Sequence, residues 1–272
     1  MSPKPQQRNW LAELERAYTP RGRDASGRFV IEGWRLHERA LRAGQEPVAV
    51  FIGAAARRDT DEARQALVAR LEERGIPIVD LDESSLQRLV GARGQGELLG
   101  LMPIPPAPQI GELVQAGTVR LLVCSQLEDP GNAGALIRTA LASGITGVVA
   151  VGGTDPFHPR AVRVSRGSVF RIPIVRVPEA TEVLDLLQAH EIVSYGAVSR
   201  GGTPLPDVPV PTASWAVWMG SESQGLPRTL IERLEHRLSI PMGDAIDSYS
   251  VHAAAAIVLY ALGSLQPRQG SV

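Results

Sequence analysis

The chain has 272 residues, 44% hydrophobic and only 4% aromatic, with 28 Lys and Arg against 29 Asp and Glu for a net charge of -1. That length suffices for one large or two modest cores, and a near-neutral balance excludes attraction to a polyanion through overall charge, leaving only local patches to provide it. The single cysteine, Cys124, excludes a disulfide framework. With no apolar stretch in MSPKPQQRNW and a longest apolar run (253–262) too short to span a bilayer, a cytoplasmic location is expected.

The first 30 residues carry Lys4, Arg8, Arg16, Arg21, Arg23 and Arg28 against Glu13, Glu15 and Asp24, a basic surplus. Helical patterning is predicted over 7–18, 33–43, 61–74 and 84–90, alternating with short strands at 48–52, 77–79 and 98–101. This describes a small α/β domain over 1–105. The segment MPIPPAP, 102–108, then holds four prolines, which stiffen the chain and stop regular structure, so it reads as an interdomain linker before a second domain over 106–272.

Residues 121–126 form an apolar run of strand type, and Asp129, Pro130, Gly131 and Asn132 carry turn chemistry. Asn132 is the expected N-cap of a helix over 133–142 that stops at Gly144, and 148–151 is the next strand: a βαβ unit whose loop leaves the carboxyl end of a strand, where open α/β sheets bind ligands. Arg138 is the one charge in this otherwise apolar helix. A buried charge needs a partner, and a guanidinium fork suits phosphate, so nucleic acid is the expected partner unless the side chain snorkels to solvent.

Between Pro156 and Pro178 stand five Arg and no acidic residue. Arg160, Arg163 and Arg166 recur every three residues and on a helix would share one positive face, suited to RNA phosphate. A strand at Trp215–Met219 enters the loop GSESQGLP, 220–227, which carries Glu222; a strand at 238–242 enters GDAIDSYS, 243–250; and an alanine-rich helix is predicted over 251–262. Its four consecutive alanines permit close approach of another helix.

Three ordered motifs together make the chain resemble the SpoU/TrmH family of RNA 2'-O-ribose methyltransferases, in the SPOUT superfamily. Asn132, Gly134 and Arg138 match Asn-x-Gly-x-x-x-Arg; Gly220, Glu222, Gly225 and Leu226 match Gly-x-Glu-x-x-Gly-Leu; Ile240, Pro241 and Met242, with Ser248 and Val251, match Ile-Pro-Met and the outer positions of Ser-Leu-Asn-Val. Tyr249 and Ser250 depart from the Leu and Asn of that third motif, and Ser is shorter and lacks the amide. Two alternatives therefore stay open beside an active ribosomal RNA enzyme: a noncatalytic RNA-binding paralogue with a decayed cofactor site, and a tRNA 2'-O-methyltransferase.

The resemblance implies a C-terminal α/β domain with a trefoil knot, preceded by an RNA-binding domain like those of ribosomal proteins. It also implies S-adenosylmethionine (AdoMet) as cofactor and a homodimer packed through the knotted domain. It assigns catalysis to Asn132, Arg138, Glu222 and Ser250, and cofactor contact to Gly220, Leu226, Ile240, Met242 and Tyr249. The basic patches add Arg21, Arg23, Arg28, Arg160, Arg163 and Arg166 as RNA contacts. A P-loop NTPase is excluded because the only lysine is Lys4; the Gly131 to Gly134 pair is not a dinucleotide fingerprint, and the histidines make no metal spacing with Cys124.

Overall fold

The computed structural model describes residues 5–90, 97–115, 117–243, 245 and 247–263. Lys4, the side chain of Arg8, and Asp244 and Ile246 of the third loop lie outside the described residues. The chain divides into two compact units, Met1–Pro106 with Phe157–Phe170, and Ala107–Pro156 with Arg171–Val272. A segment of fourteen residues beyond the proline-rich stretch thus packs with the first unit.

In the first unit, helices α1 (Pro5–Ala17) and α2 (Pro20–Ser26) precede β1 (Arg28–Glu32), α3 (Trp34–Arg42), β2 (Ala49–Gly53), α4 (Ala54–Arg57), α5 (Glu62–Glu73), β3 (Ile78–Leu81), α6 (Glu83–Val90) and β4 (Leu98–Pro103). The strands form a mixed sheet in the order β1-β4-β2-β3, with only β2 and β3 parallel. Strand β2 is buried on both faces, and its alternation divides the core: Ala49 and Phe51 join Leu14 and Val30, whereas Val50 and Ile52 join Leu67 and Leu71. The linker expected to begin at Met102 begins later, because Met102 is buried and paired with Phe29, and Pro103 closes the strand end, where its missing N–H does no harm.

The second unit continues with α7 (Ile110–Val114), β5 (Arg120–Ser125), α8 (Pro130–Ala142) and β6 (Gly147–Val151). Helix α9 (Pro159–Ser165) belongs to the first unit, after which β7 (Ile174–Val177), α10 (Ala180–Ala189), β8 (Val193–Ala197), β9 (Thr203–Pro204), β10 (Trp215–Met219), α11 (Arg228–Ile231), β11 (His236–Ser239) and α12 (Val251–Gly263) complete the second. Seven strands pair in the order β7-β6-β5-β10-β8-β11-β9, every pairing parallel. Burial on both faces explains why β6 and β10 read in sequence as continuous apolar runs.

This order places the site. From β5 the chain moves outward to β6 on one side, and from β10 it moves to β11 on the other, so β5 and β10 flank a topological switch point. Their carboxyl-end loops face one crevice. The strand expected over 238–242 ends instead at Ser239, so Ile240, Pro241 and Met242 lie in the loop that follows. Pro241 supplies no N–H to continue a ladder. Among the described residues no helix is long and apolar enough to cross a membrane.

Candidate active site

The first motif follows β5. Asp129, not Asn132, caps α8: its carboxylate accepts the Asn132 amide at 3.1 Å, and Pro130 occupies the first helical turn, where its missing N–H would have had no partner. Asn132 therefore sits one turn inside, with its side-chain amide released for other work. Helix α8 buries Ala133, Gly134, Leu136, Ile137 and Ala140, while Arg138 lies on the exposed face. Of the two placements open for Arg138, a buried charge with a partner or a side chain that snorkels to solvent, the structure has the exposed one. A residue one position on from Ile137 is turned about 100° around the helix, which carries it off the core face. Arg138 makes no hydrogen bond or ion pair with another described residue, so its five donors remain available.

The second motif is a tight reversal after β10. Ser221 and Gly225 exchange backbone hydrogen bonds of 3.2 and 3.0 Å, and the Gln224 amide donates to Ser221 Oγ at 3.1 Å. Gly220 has to be glycine, since a Cβ there would stand 2.1 Å from the Gly225 carbonyl carbon. The turn projects Glu222 toward the first motif. Its Oε1 accepts Asn132 Nδ2 at 2.7 Å and the Asp129 amide at 3.2 Å, and its Oε2 accepts the Glu128 amide at 2.9 Å. Ser223 donates its hydroxyl to Glu128, a second tie between the same loops.

Partial burial opposes ionisation of Glu222, but the Asn132 amide first, and then backbone amides including those of Glu128 and Asp129, outweigh it and hold the carboxyl below the usual range. Glu222 is thus a carboxylate at neutral pH, bound only by neutral donors. Cys124, at the end of β5, has its thiol pushed up to about 12 by burial and secondarily by the Glu222 charge, so it is inert.

The third motif leaves the same carboxyl edge from β11, two strands from β10. Ile240 and Met242 are half-buried and Tyr249 is 43% exposed, whereas Leu226 is 6% exposed within the apolar core. The Leu226 side chain is therefore core packing and leaves only its backbone to face a cofactor. Ser250 precedes α12 and its carbonyl accepts the Ala254 amide at 2.9 Å. No hydrogen bond among the described residues joins Tyr249 or Ser250 to Asn132, Arg138 or Glu222.

The basic residues divide by partner. Arg23 is fully buried and donates to the Ala17 carbonyl at 3.1 Å, satisfying the end of α1; Arg28 pairs with Glu13 and lies over the Trp10 ring at 5.5 Å. Arg163 donates to the buried Glu32 at 3.0 Å. Arg23, fully buried, is corrected from an RNA contact to an internal partner, while Arg28 and Arg163 hold internal partners and stay partly exposed. Arg166 lies past the end of α9 in the left-handed region, φ 50, so it does not continue the helical face of Arg160 and Arg163. Arg21, Arg160 and Arg166 are exposed.

Sequence reasoning missed Glu128 and Asp129, which act through backbone amides that no side-chain pattern reveals. It had a signal for the cap, since Asp-Pro marks a helix start as well as a turn. His37 is fully buried, with Nδ1 2.9 Å from the Gly33 carbonyl oxygen. Among the described residues no group of three or more His, Cys, Asp or Glu is placed to hold a metal ion.

An exposed guanidinium and a carboxylate tying two loops together thus stand at the switch point of a parallel sheet, where open α/β folds bind ligands. Residues 120–260 match the model of the SpoU rRNA methylase family. A Bacillus subtilis protein named 23S rRNA (guanosine(2553)-2'-O)-methyltransferase RlmP is 28% identical over 93% of this chain and 95% of its own. A solved RNA 2'-O ribose methyltransferase is 28% identical, covers 93% of this chain and 94% of its own, and superposes with a TM-score of 0.75. The AdoMet-bound rRNA methyltransferase from Sinorhizobium meliloti shares the fold, with a TM-score of 0.79 at 23% identity over 93% of both chains. The chain belongs to the SpoU rRNA methylase family, and its enzyme class is RNA methyltransferase.

Proposed function

We propose that the protein transfers a methyl group from AdoMet to a ribose 2'-hydroxyl, in ribosomal RNA. The observation that carries this reading is the Glu222 carboxylate, held by Asn132 and two amides where the first two motif loops meet. The relatives' names supply the substrate class: the Bacillus subtilis relative is named for 23S rRNA and the S. meliloti structure for AdoMet.

The third loop fits such a cofactor, because half-buried Ile240 and Met242 and half-exposed Tyr249 present apolar surface that the core has not covered, as a purine ring requires. Backbone at Gly220 and Leu226 would line the same region. When bound, AdoMet supplies a methyl group activated by its sulfonium. The chain's own residues then align the acceptor. The Arg138 guanidinium offers hydrogen-bond donors and no acceptor, so it grips the phosphate beside the target ribose and stabilises negative charge developing on the 2'-oxygen. Glu222 is exposed, and its two carboxylate oxygens have more acceptor sites than the amides around them use, which leaves a lone pair for the 2'-hydroxyl. Being more acidic than an ordinary carboxyl, Glu222 orients that hydroxyl rather than keeping its proton, which would pass to solvent water as the 2'-oxygen gains the methyl group and the sulfonium loses it. Asn132 fixes Glu222, and Ser250 offers a hydroxyl at the rim.

The first unit serves as the RNA-binding domain, with Arg21, Arg160 and Arg166 facing phosphate and Arg23, Arg28 and Arg163 holding the fold. A homodimer belongs to the same reading: on α12, Ile257 is 37% and Tyr260 67% exposed, an apolar face that a second copy covers. Light scattering at micromolar concentration is expected to give twice the chain mass. The trefoil knot of the second unit, supported by the likeness to SpoU structures, and a cytoplasmic location complete the reading.

Titration calorimetry with AdoMet, followed by methyl transfer to unmodified ribosomal RNA and digestion to nucleosides, tests the proposal. The expected result is binding and one ribose-methylated nucleoside. Absence of AdoMet binding would favour the noncatalytic paralogue, and transfer to tRNA alone would replace the substrate.

A further inference from the structure

We propose that Gly153, with Gly152 and Thr154 beside it, is a positioning element of the active site: a buttress that fixes the loop after β5 so that the Glu128 and Asp129 amides meet Glu222. Its effect on catalysis rests on the methyltransferase reading; its geometry does not.

Strand β6 ends at Val151, and the chain turns back through Gly152 (φ 55) and Gly153 (φ 67). Both values lie in the left-handed region that favours glycine. Gly153 is also pressed against backbone, because a Cβ there would stand 2.5 Å from the Leu127 carbonyl oxygen, 2.7 Å from its nitrogen and 2.8 Å from the Gln126 carbonyl carbon. No rotamer change relieves such a clash. The Thr154 amide donates to the Leu127 carbonyl at 2.8 Å, and the Gln126 amide to the Val151 carbonyl at 2.9 Å, so the two loops are bonded in both directions.

What these contacts hold is itself strained. Gln126 has φ 56, a conformation that a side chain disfavours and that persists only where its surroundings over-determine it. Leu127, gripped by the buttress, is 4% exposed, and the next two residues supply the amides that bind Glu222 at 2.9 and 3.2 Å. A shift of a few tenths of an ångström at Leu127 therefore passes along two peptide bonds into hydrogen bonds that weaken steeply with misalignment. No motif of the family resemblance includes 152–154.

The test compares Gly153→Ala with Gly144→Ala, whose φ of 72 carries the same backbone cost but whose Cβ meets nothing within 4 Å. The readouts are the Glu222 carboxyl titration by 13C NMR, and kcat and KM for methyl transfer. In Gly153→Ala the Glu222 midpoint is expected to rise toward the ordinary carboxyl value and kcat to fall about tenfold with little change in KM. Gly144→Ala is expected to change neither. An unchanged Glu222 titration in Gly153→Ala, or an equal shift in Gly144→Ala, overturns the proposal.

Should Gly153→Ala not fold, Gly152→Ala gives the second route, because the three atoms nearest its methyl all belong to the Gln126 side chain, with Nε2 at 2.4 Å. The proposal expects the same direction of change and its reversal in Gly152→Ala combined with Gln126→Ala; a double variant as impaired as the single one overturns it. The titration is read without RNA, so a wrong substrate and a wrong buttress give different results.

Discussion

Glu222 and Glu32 are both gripped by several donors, yet the donors differ in charge and the outcomes diverge. Glu32, in the first unit, is 5% exposed and accepts Arg163 at 3.0 Å and the Tyr18 hydroxyl at 3.3 Å. Its charge is neutralised within the fold. The Tyr18 phenol is pushed up by burial and, next, by the charge and hydrogen bond of Glu32, so it stays a donor throughout the working pH range. Glu222, in the second unit, is exposed and held among the described residues by neutral amides, the Asn132 side chain and backbone N–H groups including those of Glu128 and Asp129, so its position is fixed while its charge is not cancelled. A positioned but uncancelled charge is what an active site requires, and a cancelled one is what a fold tolerates.

The largest expected effect comes from Arg138, which has no partner among the described residues. Arg138→Ala is expected to lower kcat/KM by about a thousandfold, the size of losing a donor to developing negative charge, with a melting temperature close to that of the parent because the side chain is exposed and unpaired. Steady-state methyl transfer and calorimetric melting check the two halves; a matching fall in melting temperature would give Arg138 a structural role like that of Arg163.

Glu32→Gln is expected to show the reverse pattern. Leaving Arg163 without its counter-charge should destabilise the first unit by about 2 kcal/mol, below the range for fully buried pairs because Arg163 is 32% exposed. Urea unfolding measures this, while kcat of the folded variant should stay near the parent value.

A smaller, pH-dependent contrast resides at His37, whose imidazole is pushed down to about 4, chiefly by burial and against the hydrogen bond to Gly33. Between about 6.5 and 4 the unfolded chain binds a proton that the folded chain refuses, so this contribution to stability is complete above 6.5 and is lost as pH falls toward 4. His37→Gln should flatten that part of the curve relative to the parent.

The parallel sheet was legible because strands buried on both faces are unbroken apolar runs, as at Trp215–Met219. Motif spacing singled out Asn132 and Glu222, which the fold brings together, but it did not reveal that they are partners. Asn132 and Glu222 stand 90 positions apart and Arg163 and Glu32 stand 131 apart, distances over which only folding pairs a charge. Hence Arg23 and Arg163 read as RNA contacts, although one satisfies a helix end and the other a buried acid. The cap was misplaced by one turn because Asp129 and Asn132 both suit the role, and only the helix start decides between them. The strand at 238–242 was overextended because the loop residues Ile240 and Met242 prolong the apolar run.

The single-turnover rate of methyl transfer by Glu222→Gln, at saturating AdoMet and ribosomal RNA, tests the central assignment most directly. A fall of about a hundredfold with an unchanged melting temperature is predicted, since the amide keeps the shape but loses the charge and turns a donor toward Asn132 or the amides. A parental rate, or a loss of rate explained by loss of folded protein, would contradict it.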